Sequence, residues 1–206
     1  MADITADDLI YGYTNGIFPM ADPDEGKIYW YSPDPRAIIP IDTYRPAKSL
    51  RPILNKGEFE IKINGNFEKT IRSCAHPRFE GDETWISEEI IDVYIDLHRR
   101  GFAHSIEAYQ GHELVGGLYG VAIGSVFFGE SMFYTVPNAS KVAFHHLIQI
   151  LKKREFVLLD TQFINDNVKR YGAIEISKND FLVLLKSGLS KTNVFIEDDF
   201  GHFLSI

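Results

Sequence analysis

An α+β domain, a mixed β-sheet with helices packed on it, is the fold this sequence predicts. Three observations carry that expectation. His104–Tyr109, Leu114–Ile123 and Val126–Tyr134 read as successive strands, with Gly111-His112 and Gly124-Ser125 as turn candidates between them, which makes an antiparallel meander. An amphipathic helix follows at about Ala139–Arg154. After it, Phe156–Leu159 is a short, wholly apolar run that suits a strand covered on both faces. A meander, a helix and a buried strand in that order give a mixed sheet rather than a purely parallel or antiparallel one.

The remaining elements follow from end signals and periodicity. Ile4–Asn15 reads as a helix, with Thr5 as N-cap, Asp7 and Asp8 in the first turn, and Gly16 and Pro19 to stop it. Tyr29 to Arg36 is aromatic and proline-rich, so it is expected to be an extended loop, with a boundary near residue 35. The expected organisation is a short N-terminal segment, 1–34, and a main domain, 35–206. Phe59, Ile61 and Ile63 alternate with polar neighbours as in a half-buried strand, and a helix follows at about Asn66–Ala75. Ser87–Arg100 carries every helix signal at once: a Ser87 cap, Glu88 and Glu89 in the first turn, Ile90, Ile91, Tyr94 and Leu97 on one side, Arg99 and Arg100 in the last turn and Gly101 after it. The helix at Ala139–Arg154 buries Val142, Ala143, Leu147, Ile150 and Leu151 and ends in Lys152, Lys153 and Arg154.

Composition limits the function classes. With 206 residues, 45% hydrophobic and 24% charged, the chain has the make-up of an ordinary globular protein and can build a core without disulfide staples. Its single cysteine, Cys74, fits a reducing compartment. The N-terminus lacks a basic and apolar leader, and the longest uncharged apolar stretch, Leu114–Gly129, falls short of the ~20 residues of a spanning helix. A cytoplasmic protein with no membrane contact is the expectation. The net charge of −8 argues against coating nucleic acid, but it is unevenly spread. Residues 1–35 carry one base and seven acids, whereas Arg36–Arg78 carries nine bases and four acids. Such a basic stretch in an acidic protein could touch a few phosphates; a solvated mixed-charge surface is the plain alternative.

Two places in the sequence could do chemistry. If Val126–Tyr134 is a strand, strict alternation puts Glu130 on one face between Phe128 and Met132. A carboxylate there is costly unless it is paired, so it is either the acid at the edge of an apolar ligand pocket or a sheet-edge glutamate held by a structural Arg or Lys. Asp160-Thr161-Gln162 stands directly after the buried run Phe156–Leu159, where ligands of open sheets often sit, although an Asx-type turn ending the strand would look the same. Other groupings are weaker. His145 and His146 diverge around a helix and have no third ligand at useful spacing, so no metal site is expected. His98 and His104 read as structural histidines and Cys74 as a core residue. No G-x-S-x-G, Walker or G-x-G-x-x-G motif occurs, which removes the common hydrolase, NTPase and dinucleotide readings.

Longer strings are specific. GIFPM (Gly16–Met20), YSPDPR (Tyr31–Arg36), TWI (Thr84–Ile86), LHRRGFAHSIE (Leu97–Glu107), LVGGLYGVAIG (Leu114–Gly124), FGESMF (Phe128–Phe133), NASK (Asn138–Lys141) and DTQ (Asp160–Gln162) occur in this order. Together they resemble the leucyl/phenylalanyl-tRNA-protein transferase family, from about Asp8 to Leu185.

The resemblance implies an enzyme that moves leucine or phenylalanine, with methionine a further candidate, from charged tRNA to the N-terminal amine of proteins beginning with Arg or Lys, marking them for N-end rule degradation. It implies a GNAT-like acyltransferase domain behind a remnant N-terminal domain, and no cofactor, since aminoacyl-tRNA is itself the donor. No strict [QR]-x-x-G-x-[GA] loop for acetyl-CoA is present; His98–Ala103 is the nearest approach. Glu130, Asp160 and Gln162 match the polar reaction centre of the family. Met20, Trp85, Leu118, Phe127, Leu147 and Leu151 match positions lining its pocket for the aminoacyl side chain and terminal adenosine; the family often has Trp at Met20 and Phe at Leu147. Arg45, Lys48, Arg51 and Lys56, in the basic stretch, are the candidates for tRNA phosphate contact. The rival expectations are a related tRNA-dependent aminoacyltransferase with another acceptor, acidic N-termini or cell-wall peptide, and a non-catalytic adaptor that binds peptide N-termini.

Overall fold

The structure is a computed structural model that describes residues 4–77 and 84–196. Arg78 of the basic stretch and the last part of the expected main domain, 197–206, lie outside the described residues. Along the chain run α1 (Ala6–Thr14), β1 (Phe18–Ala21), β2 (Ile28–Tyr31), β3 (Arg36–Ile38), α2 (Arg51–Lys56), β4 (Glu60–Ile63), α3 (Phe67–Ala75), α4 (Glu88–Arg99), β5 (Ala103–Gln110), β6 (Glu113–Ile123), β7 (Val126–Tyr134), α5 (Ala139–Lys153), β8 (Leu158–Gln162), α6 (Asp166–Lys169), β9 (Ile174–Ile176) and α7 (Lys178–Leu189). The architecture is α+β, with a mixed seven-stranded sheet in the order β4-β5-β6-β7-β8-β3-β9 and a separate β1-β2 hairpin.

Local chemistry explains the boundaries. Thr5 and Asp8 close a reciprocal capping box on α1, and Gly16, at φ +75°, turns the chain out of it. Ser87 caps α4 through the Ile90 N–H. The turns between β5, β6 and β7 place Gly111 and Gly124 in the left-handed region, in keeping with their turn chemistry. Helices cover both faces. One core cluster packs α1, α3, α4 and α7 on one side of the sheet, around Leu9, Ile71, Ile90, Tyr94 and Phe181. The other packs α5 on the opposite side, around Leu118, Phe127, Leu147 and Leu151.

Three expectations are corrected. The stretch from Tyr29 to Arg36 is not all loop: β2 pairs with β1 antiparallel, and β3 inserts between β8 and β9 of the main sheet. Prolines punctuate it, yet Pro33 and Pro35 fall between the strands, where no ladder hydrogen bond is lost. The apolar run Phe156–Leu159 is only half strand. Phe156 N–H bonds back to Leu151 O at the end of α5, so the strand starts at Leu158 and its last three residues are Asp160, Thr161 and Gln162. Finally, Glu130 does not follow strict alternation. In the β6–β7 ladder Tyr119 opposes Ser131 and Gly120 opposes Gly129, so Glu130 is an extra, unpaired residue in a β-bulge. Phe128 therefore packs with the α1/α4 cluster and Met132 with the α5 cluster, on opposite faces of the sheet.

Candidate active site

The sheet opens where the parallel β7–β8 ladder ends. β7 and β8, joined through α5, pair from Val126–Leu158 to Phe128–Asp160 and no further. Beyond that point Gly129, Glu130, Ser131 and Met132 of β7 and Thr161 and Gln162 of β8 line a cleft of about 1130 Å³. Gly120 lies opposite the bulge: a Cβ there would stand 2.5 Å from the Phe127 ring, so the close approach of β6 needs glycine. The bulge turns the Glu130 side chain towards α1 and α4, whose tyrosines meet it. Tyr13 donates a 2.7 Å hydrogen bond to Glu130 Oε1, and the Tyr13 and Tyr94 hydroxyls hydrogen-bond each other. Gln162 Nε2 donates to the same Glu130 oxygen at 3.3 Å.

Behind this pair lies a second carboxylate. Asp160 accepts two hydrogen bonds from Arg36, Nε to Oδ1 at 2.8 Å and Nη2 to Oδ2 at 2.6 Å, and both side chains are essentially fully buried. Arg36 Nη1 also reaches Gly16 O at 3.2 Å, and its guanidinium lies between the rings of Phe18 and Phe181, 4.7 and 4.5 Å from their centroids. Each nitrogen of the guanidinium has a partner, which is what makes a buried charge tolerable. Asp160 Oδ1 in turn accepts the Gln162 N–H at 3.0 Å. Gln162 sits at φ +59°, a region that disfavours non-glycine residues, so this hydrogen bond helps hold a conformation the residue would not choose.

The two acids differ electrostatically. Burial pushes the Glu130 carboxyl up to about 7, and the Asp160 charge adds to the rise, against the hydrogen bonds from Tyr13 and Tyr94 and the Arg36 charge. Burial also raises the Tyr13 and Tyr94 phenols well above their usual value, so both are neutral hydrogen-bonding groups at any working pH.

The expected site residues divide by place. Glu130 and Gln162 meet on the cleft wall; Asp160 stands behind it and touches the site through Gln162. Met20, Trp85, Leu118 and Leu147 line the cleft. Phe127 and Leu151 do not: both are wholly buried in the core between α5 and the sheet. Cys74 packs against the α1/α4 core cluster and also lines the cleft, on the side of α3 that faces Ser131. His98 and His104 are structural, bonded to Ala103 O and the Asn64 side chain. Arg45, Lys48, Arg51 and Lys56 lie on α2 and the segment before it, on the outer surface. Arg45 turns back onto the carbonyls of Asp42 and Tyr44, and the Tyr44 ring meets Phe144, which lines the cleft. Among the described residues no group of three or more His, Cys, Asp or Glu could hold a metal ion. Among them also, no helix is long and apolar enough to cross a membrane.

Arg36, Tyr13 and Tyr94 are the site residues that sequence reasoning missed. Arg36 closes the YSPDPR string, whose motif marks its place but not its role. Tyr94 reads simply as part of the apolar side of its helix, and Tyr13 carries no signal of its own in the first one.

An amide and a carboxylate paired on the wall of a cleft, with a fixed ion pair behind them, fit an enzyme that positions a group for transfer. Sequence comparison narrows it. The profile described as "Leucyl/phenylalanyl-tRNA protein transferase" matches residues 38–186, and that of the family's N-terminal domain matches residues 2–34. The chain is 50% identical over 193 residues to the leucyl/phenylalanyl-tRNA--protein transferase of Chlorobaculum parvum, covering 94% of this chain and 100% of that one. It is 48% identical over the same length to the Chlorobaculum tepidum protein of that name, and 45% over 190 residues to that of Gloeobacter violaceus, with 96% of the latter covered. This chain belongs to the leucyl/phenylalanyl-tRNA protein transferase family. Among solved structures, L-PGS from Bacillus licheniformis is similar at a TM-score of 0.45 and 13% identity, over 77% of this chain and 66% of that one.

Proposed function

We propose that this chain transfers leucine or phenylalanine from aminoacyl-tRNA to the N-terminal α-amine of proteins that begin with Arg or Lys, in the cytoplasm and with no cofactor besides the charged tRNA. The observation that carries the reading is the hydrogen-bonded pair of Glu130 and Gln162 on the wall of an apolar cleft, in a chain of this family. The donor is an activated ester and the acceptor amine, with a pKa of ~7.7 to 8.0, is substantially neutral near pH 7, so positioning does most of the work. The amine nitrogen attacks the ester carbonyl, the terminal ribose oxygen leaves with the electron pair, and the amine loses one proton to it. Gln162 cannot titrate; it orients the amine or donates to the developing oxyanion. Glu130 binds the incoming amine or the terminal ribose. Its raised pKa keeps it from being a permanent anion in the apolar cleft, yet leaves it ionised often enough to hold a cation. Asp160 is a positioning residue, held by Arg36 and holding the Gln162 backbone.

Leu118 and Leu147, with Met20 and Trp85 at the rim, are our candidates for the aminoacyl side chain and adenosine. Arg45, Lys48, Arg51 and Lys56 are those for tRNA phosphates. We further read the main sheet as GNAT-like, because a parallel pair joined by a crossover helix and diverging beside a bulge supports that description, and we keep the division into a remnant N-terminal domain, 1–34, and a transferase domain, 35–206. The test is transfer of radiolabelled Leu, Phe or Met from charged tRNA to peptides starting with Arg, Lys, Asp or Glu. Transfer of Leu or Phe to Arg- and Lys-initiated peptides is expected. Transfer only to Asp or Glu peptides would reassign the acceptor, and peptide binding without turnover would make the chain an adaptor.

A further inference from the structure

Three aromatic rings stand together at the mouth of the cleft, directly beyond Gln162. Phe18 and Phe163 line the cleft and Tyr31 flanks them. The ring centroids of Phe18 and Phe163 are 5.6 Å apart, those of Phe18 and Tyr31 6.1 Å, and those of Tyr31 and Phe163 6.5 Å. Phe18 is buried and backs the group, while Tyr31 and Phe163 keep 36% and 42% of their surface open. Phe18 and Tyr31 face each other across the β1–β2 ladder, and Phe163 is aimed at them by the left-handed turn at Gln162. Large rings left open beside a reaction centre are costly to expose and well suited to gripping a ligand.

We propose that this shelf is a subsite for the second residue of the acceptor polypeptide and that it favours a bulky apolar or aromatic side chain there. The inference rests on the reading above, in which the acceptor amine is brought to Glu130 and Gln162. Successive Cα atoms are only ~3.8 Å apart, so the second side chain falls within one residue step of that amine, and Phe163 adjoins Gln162. Longer-range charge favours a polypeptide over RNA here, from the acidic far end of the hairpin, three ladder pairs beyond Phe18 and Tyr31. The hairpin that carries Phe18 and Tyr31 ends in Asp22, Asp24 and Glu25, and its Lys27 is taken by Glu25 at 2.8 Å. That tip repels phosphates and attracts a chain with a cationic start. The cleft's Lys and Arg side chains, Lys141 and Arg170, come instead from α5 and the end of α6.

Steady-state kinetics on two peptides, identical except for Lys-Phe or Lys-Gly at the start, test this with two donors: leucyl-tRNA, and leucyl-adenosine, which lacks the penultimate nucleotide. The wild-type chain is expected to prefer Lys-Phe by about threefold to tenfold in kcat/KM, the size an aromatic contact supplies, mainly through KM and with both donors. Phe163→Ala and Tyr31→Ala, at partly exposed positions and checked by thermal unfolding alongside, should bring the ratio to about one. No preference in the wild type, or a preference that both variants keep, overturns the subsite. Variants that raise KM for leucyl-tRNA and change nothing with leucyl-adenosine overturn it too, by giving the rings to a tRNA base. If the wild type transfers to neither peptide, the functional reading fails first, and that result is distinct because both peptides fail together.

Discussion

On β8 the carboxylate of Asp160 meets a guanidinium; in the bulge of β7 the carboxylate of Glu130 meets two phenols and an amide. Asp160 is fully buried and Glu130 half-buried on the cleft wall, and Gln162 touches both, one through its backbone and one through its side chain. The first region is built to fix a charge: a bidentate partner, a third contact to Gly16 O and two rings hold Arg36 in one place. In the second the donors are neutral, so the proton on Glu130 is decided by burial and by whatever enters the cleft. The two regions thus differ in kind: a locked pair holds the geometry of Gln162, and beside it stands an acid whose charge can change, the one we propose meets the substrate.

The largest effect should come from breaking the locked pair. Arg36→Leu leaves Asp160 buried and uncompensated, and removing one partner of such a pair costs about 3 to 5 kcal/mol. Chemical denaturation should show that loss, whereas Glu130→Gln, whose phenol and amide neighbours can still bond it, should cost far less. Equal losses would erase the contrast between the two regions.

A stability measurement against pH sharpens it next. Glu130 is raised towards 7 in the folded chain, so between the ordinary carboxylate value and about 7 the folded state holds a proton that the unfolded state has released. Stability therefore falls as pH rises through that window, by at most about 1.4 kcal/mol per unit, and levels off above it. Glu130→Gln does not titrate there, so its stability relative to wild type should improve from pH 5 to pH 7. In activity, Tyr13→Phe removes a hydrogen bond that favours the ionised acid, and the acid limb of the pH–rate profile should move to higher pH. An unmoved limb would mean that Glu130 does not set it.

The smallest effect belongs to the outer surface. A variant with Arg45, Lys48, Arg51 and Lys56 all changed to Ala should bind charged tRNA more weakly, with a salt slope shallower by roughly 0.7 to 0.9 for each phosphate that the wild type neutralises and the variant does not. Transfer from leucyl-adenosine should be untouched.

Much of the frame was legible in the sequence because its signals are local. The caps of α1 and α4, the alternation in β4 and the glycine turns of the meander all act within a few residues of themselves. The bulge at Glu130 was not legible, because it depends on which residue of β6 opposes which of β7; strict alternation put Phe128 and Met132 on one face, and the register separates them. Arg36 was hidden for the same reason: its partner is 124 residues away, across a β3–β8 pairing that a proline-rich context disguised. The cap at Ser177 with Asp180, and Phe181 and Leu185 behind it, did carry a local signal for α7, the helix that closes over Arg36. Glu130 and Asp160-Thr161-Gln162 stand out in the sequence as a carboxylate on an apolar strand and a polar run after a buried one, and only geometry separates Asp160 behind the wall from Glu130 and Gln162 on it.

The most direct test of that separation is the rate of radiolabelled leucine transfer from charged tRNA to a Lys-initiated peptide by Glu130→Gln and Gln162→Ala, with circular dichroism and thermal unfolding run alongside. The account predicts that each variant folds as wild type does and loses about two orders of magnitude or more in transfer, the usual scale for removing a positioned donor or acid-base group. Near-normal transfer by both variants would contradict it.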